Sequence, residues 1–420
     1  MQNRNRDLIL DWYQQALAAV DPALVTRNAL ESIRVGDGKL VVLAIGKAAV
    51  PMARAARETL GDRITSGLIV TKSGQLTDEV DGFFGVEAAH PIPNEASLLA
   101  GERTLAAVAD LSAADTVIAL VSGGGSSLVE HPVEGVSLMD VQVTTELLMY
   151  AGAGIYDLNA VRKALSAIKG GGLRRSIGDA RCITLMLSDV LGNDFSIIAS
   201  GPTIIEPVSR HRAWQILNDF RVQDRVPESV REVLTSEAPT AVDIDTSRDV
   251  CEILADNATF LSAVESAAQA DGLPIERRWI NWHEDAQDLA HRIVADCRAV
   301  SGDIDVLIGG GEATSVVRGG GKGGRNTEMA LAAAMLLTDN DQWTIASLAS
   351  DGDDGNSGVA GAIVDSSTID DPAAARSALA ESDSGGYLAA RHATVRTGPT
   401  GTNVNDVYIA VRIRPAGDDE

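Results

Sequence analysis

The chain has 420 residues, 45% of them hydrophobic and 22% charged, the composition of a globular protein of two or three domains with ample core. Its net charge of −24 repels nucleic acid and anionic membranes from the general surface, so a nucleotide or an organic acid needs a locally positive site. No run of about 18 apolar residues is present to span a membrane, and the first residues carry no apolar segment of the signal-peptide kind; three cysteines, odd in number and outside any CxxC pair, fit a reducing cytoplasm.

In chain order, polar and glycine-rich clusters repeatedly follow short apolar runs. Leu40-Val-Val-Leu-Ala-Ile45 reads as a buried strand, followed by Gly46-Lys47 and a helical stretch over residues 48–60. Thr116-Val-Ile-Ala-Leu-Val121 runs into Ser122-Gly-Gly-Gly-Ser-Ser127. Helices are predicted over residues 137–150 and 157–168, the second stopped by Gly170-Gly-Gly172. Ile183-Thr-Leu-Met-Leu187 runs into Ser188-Asp189, and another helical stretch lies near residues 210–220. Residues 237–246 read as a linker or surface loop, which divides the chain into domains over residues 1–240 and 250–420. Val306-Leu-Ile308 runs into Gly309-Gly-Gly-Glu312, and a helix predicted over 326–337 opens with Asn326-Thr327-Glu328 as cap and acidic first turn. Thr344-Ile-Ala-Ser-Leu348 runs into Ser350-Asp351-Gly352-Asp353-Asp354-Gly355. Apolar strands alternating with helices predict an α/β fold with parallel sheets covered on both faces. Ligands bind beyond the carboxyl ends of such strands, where all five polar clusters lie.

The loop Ser122, Gly123, Gly124, Gly125, Ser126, Ser127 reads as an anion site: glycines admit an anion to the backbone, exposed N–H groups and a following helix N-terminus attract it, and serines add donors. The alternative is a tight strand-to-helix turn. Lys47 stands at a helix start, where a solvated lysine would oppose the dipole, and in a chain of only six lysines it reads as a point charge for phosphate or carboxylate. Asp189 suits a base or a Mg2+ ligand, and equally a turn former. Asp351 and Asp353 suit Mg2+ that accompanies a nucleotide, and equally a polar turn; the loop lacks the distant Glu of a calcium site. No Walker A motif exists. Gly319-Gly-Gly-Lys-Gly-Gly324 matches GxGxxG only formally and reads as a mobile loop that closes on ligand, with Lys322 and Arg325 reaching in. Residues 398–406 read as a structural loop before an apolar strand over 407–413. Three cysteines without CxxC spacing and six scattered histidines leave no Cys-rich or His-based metal site.

Eight stretches taken together resemble the class II glycerate 2-kinase family, whose C-terminal part is the MOFRL domain. They are Ala44-Ile-Gly-Lys-Ala48, His90-Pro-Ile-Pro-Asn94, Val121-Ser-Gly-Gly-Gly-Ser-Ser127, Leu187-Ser-Asp-Val190 with Ser200-Gly-Pro-Thr203, Gly309-Gly-Gly-Glu-Ala-Thr314, Gly323-Gly-Arg-Asn-Thr327, Ser350-Asp-Gly-Asp-Asp-Gly355 and Thr397-Gly-Pro-Thr-Gly-Thr-Asn403. They run in family order from about residue 40 onward, with few hallmarks over residues 204–300.

The resemblance implies two α/β domains, the first Rossmann-like with a largely parallel sheet, and an active site in the cleft between them. It implies ATP- and Mg2+-dependent transfer of the γ-phosphoryl to the 2-hydroxyl of D-glycerate, giving 2-phosphoglycerate and ADP. Small molecules are then the partners, with a homodimer left open. Lys47, Asp189 and Arg325 are the implied active-site residues. The nucleotide is assigned to Gly46, the loop over residues 122–127, Glu312 and Asn326, and Mg2+ to Asp351 and Asp353. Lys47 and Arg325 would neutralise the transferring phosphoryl, or Arg325 would fork onto the glycerate carboxylate, while Asp189 takes or orients the hydroxyl proton. The rival enzyme is an NAD(P)H-dependent hydroxypyruvate reductase, a label that family members have carried. Against it, no strand–GxGxxG–helix is followed cleanly by a ribose-binding acid, and no His/Glu pair for hydride transfer stands out. A non-catalytic sensor of nucleotide or sugar acid would keep the anion loops without needing Asp189 and Asp351.

Overall fold

The computed structural model describes residues 2–76, 78–237 and 244–412; most of the stretch read as a linker, and the last residue of the strand predicted over 407–413, lie outside them. The first sheet holds β1 (Leu40–Ile45), β2 (Ser66–Lys72), β3 (Phe83–Ala88), β4 (Thr116–Val121), β5 (Arg181–Leu187) and β6 (Val250–Ala255), in the order β3-β2-β1-β4-β5-β6. The pairings β1–β2, β1–β4, β2–β3 and β4–β5 are parallel. β1 and β4 are buried at every residue, as apolar runs between two helical layers must be. Val41, Leu43 and Ile45 pack with Ala100, Val108, Leu173 and Ile177 from the helices Glu95–Val108 and Gly172–Ile177. Burial of each such aliphatic side chain contributes about 1.5–3 kcal/mol, so this central pair of strands is the rigid part of its unit. The strand order reverses between β1 and β4, the switch point beyond whose carboxyl ends open α/β sheets bind ligands.

The second sheet holds β7 (Ile275–Trp282), β8 (Val306–Gly311), β9 (Thr344–Ala349), β10 (Gly361–Val364), β11 (Thr394–Val395) and β12 (Asp406–Val411), in the order β11-β10-β9-β12-β8-β7. Here the expectation of parallel sheets fails. Only β7–β8 is parallel; β12 runs antiparallel between β8 and β9, and β10 is antiparallel to β9 and β11. An apolar run buried on both faces looks the same in either direction, so strand direction was not legible.

Contacts divide the chain into one unit of Met1–Asp21, Asp189–Gly192 and Ala255–Glu420 and another of Pro22–Ser188 and Asn193–Leu254. The division at the end of β6 falls at 254/255, so β6 stays with the first sheet, while the first helix, Gln2–Ala19, joins the second sheet. There Asn5 Nδ2 donates to Thr344 Oγ1 at 3.0 Å and Tyr13 Oη to Ala349 O at 2.6 Å. The helix Leu138–Tyr150 starts as predicted, with Ser137 and Asp140 capping reciprocally. The next helix, Ile155–Ala164, ends before Gly170-Gly-Gly172. Gly170 and Gly171 take φ of 58° and 79° and start the helix Gly172–Ile177 instead of stopping the earlier one. Among the described residues no helix is long and apolar enough to cross a membrane.

Candidate active site

The switch point of the first sheet collects the residues that follow β1 and β4. Gly46 has φ 127°, and a Cβ there would lie 2.2 Å from Ser122 Oγ, so only glycine lets the two strand exits meet. Lys47 N donates to Gly123 O at 2.9 Å and Ala48 N to Ser122 Oγ at 3.0 Å. Ser122 is therefore a buried brace for the turn. Ser127, also buried, donates to Gly124 O at 3.1 Å, and Ser126 Oγ lies 2.5 Å from Ser200 Oγ. The helix that follows is the single turn Gly125–Leu128, too short for the dipole that the sequence reading gave it. What the loop offers an anion is backbone at Gly123 and Gly124 together with nearby cations. Lys47 is half-buried beside Gly124, and Arg162 Nη2 donates to Ser126 O at 3.0 Å. His90 stands here too; burial, then Lys47, Lys72 and Arg162, push its pKa down to about 4, so its ring is neutral. No role for His90, Lys72 or Arg162 was legible from the residues alone, since only strand order brings them together.

The second sheet builds a different environment. β8 and β9 end on either side of Asp406, the first residue of the antiparallel β12 between them. Arg325, first residue of the helix Arg325–Leu336, forks onto this buried carboxylate: Nε to Oδ2 at 2.6 Å and Nη2 to Oδ1 at 3.0 Å. Its Nη1 donates to Glu312 Oε1 at 2.9 Å. Burial works against the Arg325 charge, but Asp406 and Glu312 outweigh it and raise its pKa. Burial likewise raises the pKa of Asp406, with Arg325 opposing. The bidentate edge, which one of the two expected roles would turn onto the glycerate carboxylate, is thus committed to Asp406 at the end of the polar loop over residues 398–406. Arg325 and half-exposed Glu312, together with Ser315, Glu328 and Gly324, help to line a cavity of about 650 Å3.

The helix start is likewise occupied from within. The actual cap is Gly324, two residues earlier than expected, and Asp354 accepts from Asn326 N at 2.9 Å, Thr327 N at 2.8 Å and Thr327 Oγ1 at 2.8 Å. Asn326 is buried, its Oδ1 accepting from Ser347 Oγ at 2.5 Å, so its side chain faces inward rather than toward a nucleotide. Gly319–324 follows no strand directly: β8 ends at Gly311 and irregular chain precedes the helix, so the formal GxGxxG is not a strand-to-helix turn. Asp351 Oδ1 accepts from Asp353 N at 3.0 Å in a turn that leaves Asp353 exposed and Asp351 half-buried. Among the described residues no group of three or more His, Cys, Asp or Glu could hold a metal by itself. Mg2+ that arrives on phosphates uses only one or two carboxylates. Asp189 is half-buried immediately beyond β5, in the short segment that contacts assign to the second unit; its neighbour Leu191 lines the same cavity.

Residues 8–235 match the DUF4147 family, described as a domain of unknown function, and residues 305–406 match the MOFRL family. The chain is 34% identical over 419 residues to a D-glycerate 2-kinase of Thermotoga maritima, covering 97% of this chain and 98% of that protein. It is 36% identical over 420 residues to a putative hydroxypyruvate reductase of Agrobacterium vitis, covering 96% and 93%. A crystal structure of glycerate kinase from Thermotoga maritima superposes with a TM-score of 0.90 at 33% identity, covering 98% of this chain and all of that one. A Pyrococcus horikoshii protein structure superposes with a TM-score of 0.83 at 34% identity, covering 98% and 99%. With these likenesses over its length, and two α/β units of this topology, the chain belongs to the MOFRL-domain family of class II glycerate kinases.

Proposed function

We propose that this chain transfers the γ-phosphoryl of ATP to the 2-hydroxyl of D-glycerate, giving 2-phosphoglycerate and ADP, in the cytoplasm and with Mg2+ carried on the nucleotide by Asp351 and Asp353. The observation that carries the reading is Lys47: a cation in no ion pair among the described residues, held on a glycine turn at the switch point of a parallel sheet, in a chain of net charge −24. The relatives named glycerate 2-kinase supply the substrate. Phosphoryl transfer asks mainly for positioning and neutralisation of charge. Lys47 supplies a strongly hydrated point charge to the phosphoryl oxygens, and Gly123 and Gly124 admit them to the backbone. Mg2+, when bound, would neutralise charge between phosphates. Arg325 acts through its Nη1 edge, which requires Glu312 to swing aside. Asp189, beyond β5, takes or orients the proton of the attacking hydroxyl.

The test is an assay of purified protein with D-glycerate, ATP and Mg2+ that reads ADP release, coupled directly through enolase without added mutase. A parallel assay holds hydroxypyruvate and NADH. The enolase signal is expected in the first alone; NADH consumption without ATP would replace the kinase reading by a reductase. Asp189→Asn is expected to lower turnover by about 10²–10⁴-fold, and near-normal turnover would remove Asp189 as the base.

A further inference from the structure

The parallel strands β3, β2, β1 and β4 lie side by side and end in one direction. Each delivers polar groups at its carboxyl end: His90 two residues past β3, Lys72 as the last residue of β2, Lys47 two residues past β1, and the glycine loop past β4. Arg162 reaches the same loop from the helix Ile155–Ala164 through its bond to Ser126 O. A Cβ on Gly124 would lie 3.1 Å from His90 Cδ2 and 3.3 Å from Lys47 Cγ, so both side chains flank one short piece of backbone. The N–H groups of Gly123 and Gly124 donate to no backbone acceptor among the described residues.

The charges are unbalanced. Lys47, Lys72 and Arg162 all act on His90, yet none of the three forms an ion pair with an acid among the described residues. Two other lysines of the same unit, Lys163 and Lys169, are paired with Glu206 and Glu130. Burial lowers the Arg162 pKa; Glu130, the acid that opposes this, is already taken by Lys169. Three uncompensated cations around open backbone donors repel one another until an anion of matching charge arrives.

We propose that Lys72, Arg162 and His90 complete, with Lys47, a seat for the polyphosphate end of the nucleotide, an assignment that rests on the kinase reading above. Three positive charges match a polyphosphate rather than a lone carboxylate. The neutral ring of His90 can donate to one phosphate oxygen without adding a fourth charge.

Calorimetric titration with inorganic triphosphate tests the seat in wild type, Lys72→Gln, Arg162→Gln and His90→Gln, with D-glycerate and inorganic phosphate in separate arms. Lys72→Gln and Arg162→Gln are each expected to weaken triphosphate binding roughly tenfold, the loss of one charge-assisted contact, and to leave D-glycerate binding unchanged. Triphosphate should also raise the pKa of His90, read by NMR and assigned with His90→Gln. Lys72→Gln removes an exposed lysine and reads the seat even where Arg162→Gln, which also loses the Ser126 bond, disturbs the loop. Wild-type triphosphate affinity in both variants overturns the seat, as does a loss confined to D-glycerate. A wild-type protein that binds triphosphate here but releases no ADP with D-glycerate keeps the seat and fails the kinase reading.

Discussion

Replacing Arg325 by Met isolates the most heavily charged contact of the second unit. Asp406 is fully buried and loses both of its guanidinium hydrogen bonds, while Glu312 is half-exposed and turns to solvent. Breaking a buried pair from one side costs about 3–5 kcal/mol, because the remaining charge has no partner. At about 2–4 °C per kcal/mol for a unit of this size, the Tm of the second unit should fall by roughly 6–20 °C. Scanning calorimetry and urea unfolding of Arg325→Met, Asp406→Asn and the double variant would measure this, with the double variant losing less than the sum of the singles. The pH dependence has a definite sign. Burial raises the Asp406 pKa in the folded state and Arg325 opposes that rise. Without Arg325 the folded carboxyl holds its proton to higher pH than the unfolded one, so the variant gains stability on acidification toward the unfolded pKa and loses it as pH rises. Arg325→Met within about 1 kcal/mol of wild type, or an additive cycle, would refute the argument that this pair is structural.

Gly124→Ala forces a side chain into φ 85° and against Lys47 and His90; a loss of about 1–2 kcal/mol in urea unfolding and a raised KM for ATP are expected. His90 has a folded pKa of about 4 against an ordinary 6.5, so the unfolded chain binds the extra proton between those values. Stability is therefore complete above pH 6.5 and declines toward pH 4, by ~1 kcal/mol after screening at this partly exposed ring; His90→Gln should flatten that limb of a Tm-versus-pH curve. Asp354→Ala strips three hydrogen bonds from the start of the helix Arg325–Leu336 and should cost about 2 kcal/mol by chemical denaturation, with Arg325 displaced and turnover reduced.

Strand positions were readable because local chemistry dictates them. Uninterrupted apolar runs at residues 40–45 and 116–121 have one stable place, between two helical layers, and became β1 and β4 with the same limits. Gly46 and Lys47 were legible for a similar reason: a glycine turn and a rare lysine at a strand exit stand out in a Lys-poor chain. Residues whose meaning depends on a distant partner were not legible. Asp406 looked like the end of a polar loop until β12 inserted between β8 and β9 and set it under Arg325. Asp354 looked like part of the polar turn that holds Asp351 and Asp353 until the fold laid it across the start of a helix, and Ser122 looked like a phosphate donor until it bonded Ala48 N. By itself the sequence determined where the central apolar strands and the turns that follow them lie, because those follow from side-chain burial and glycine stereochemistry within a few residues. Only the tertiary structure decided which charges are paired inside the protein and which, at Lys47, Lys72 and Arg162, have no acid in ion-pair contact among the described residues, because pairing is a matter of distance in space.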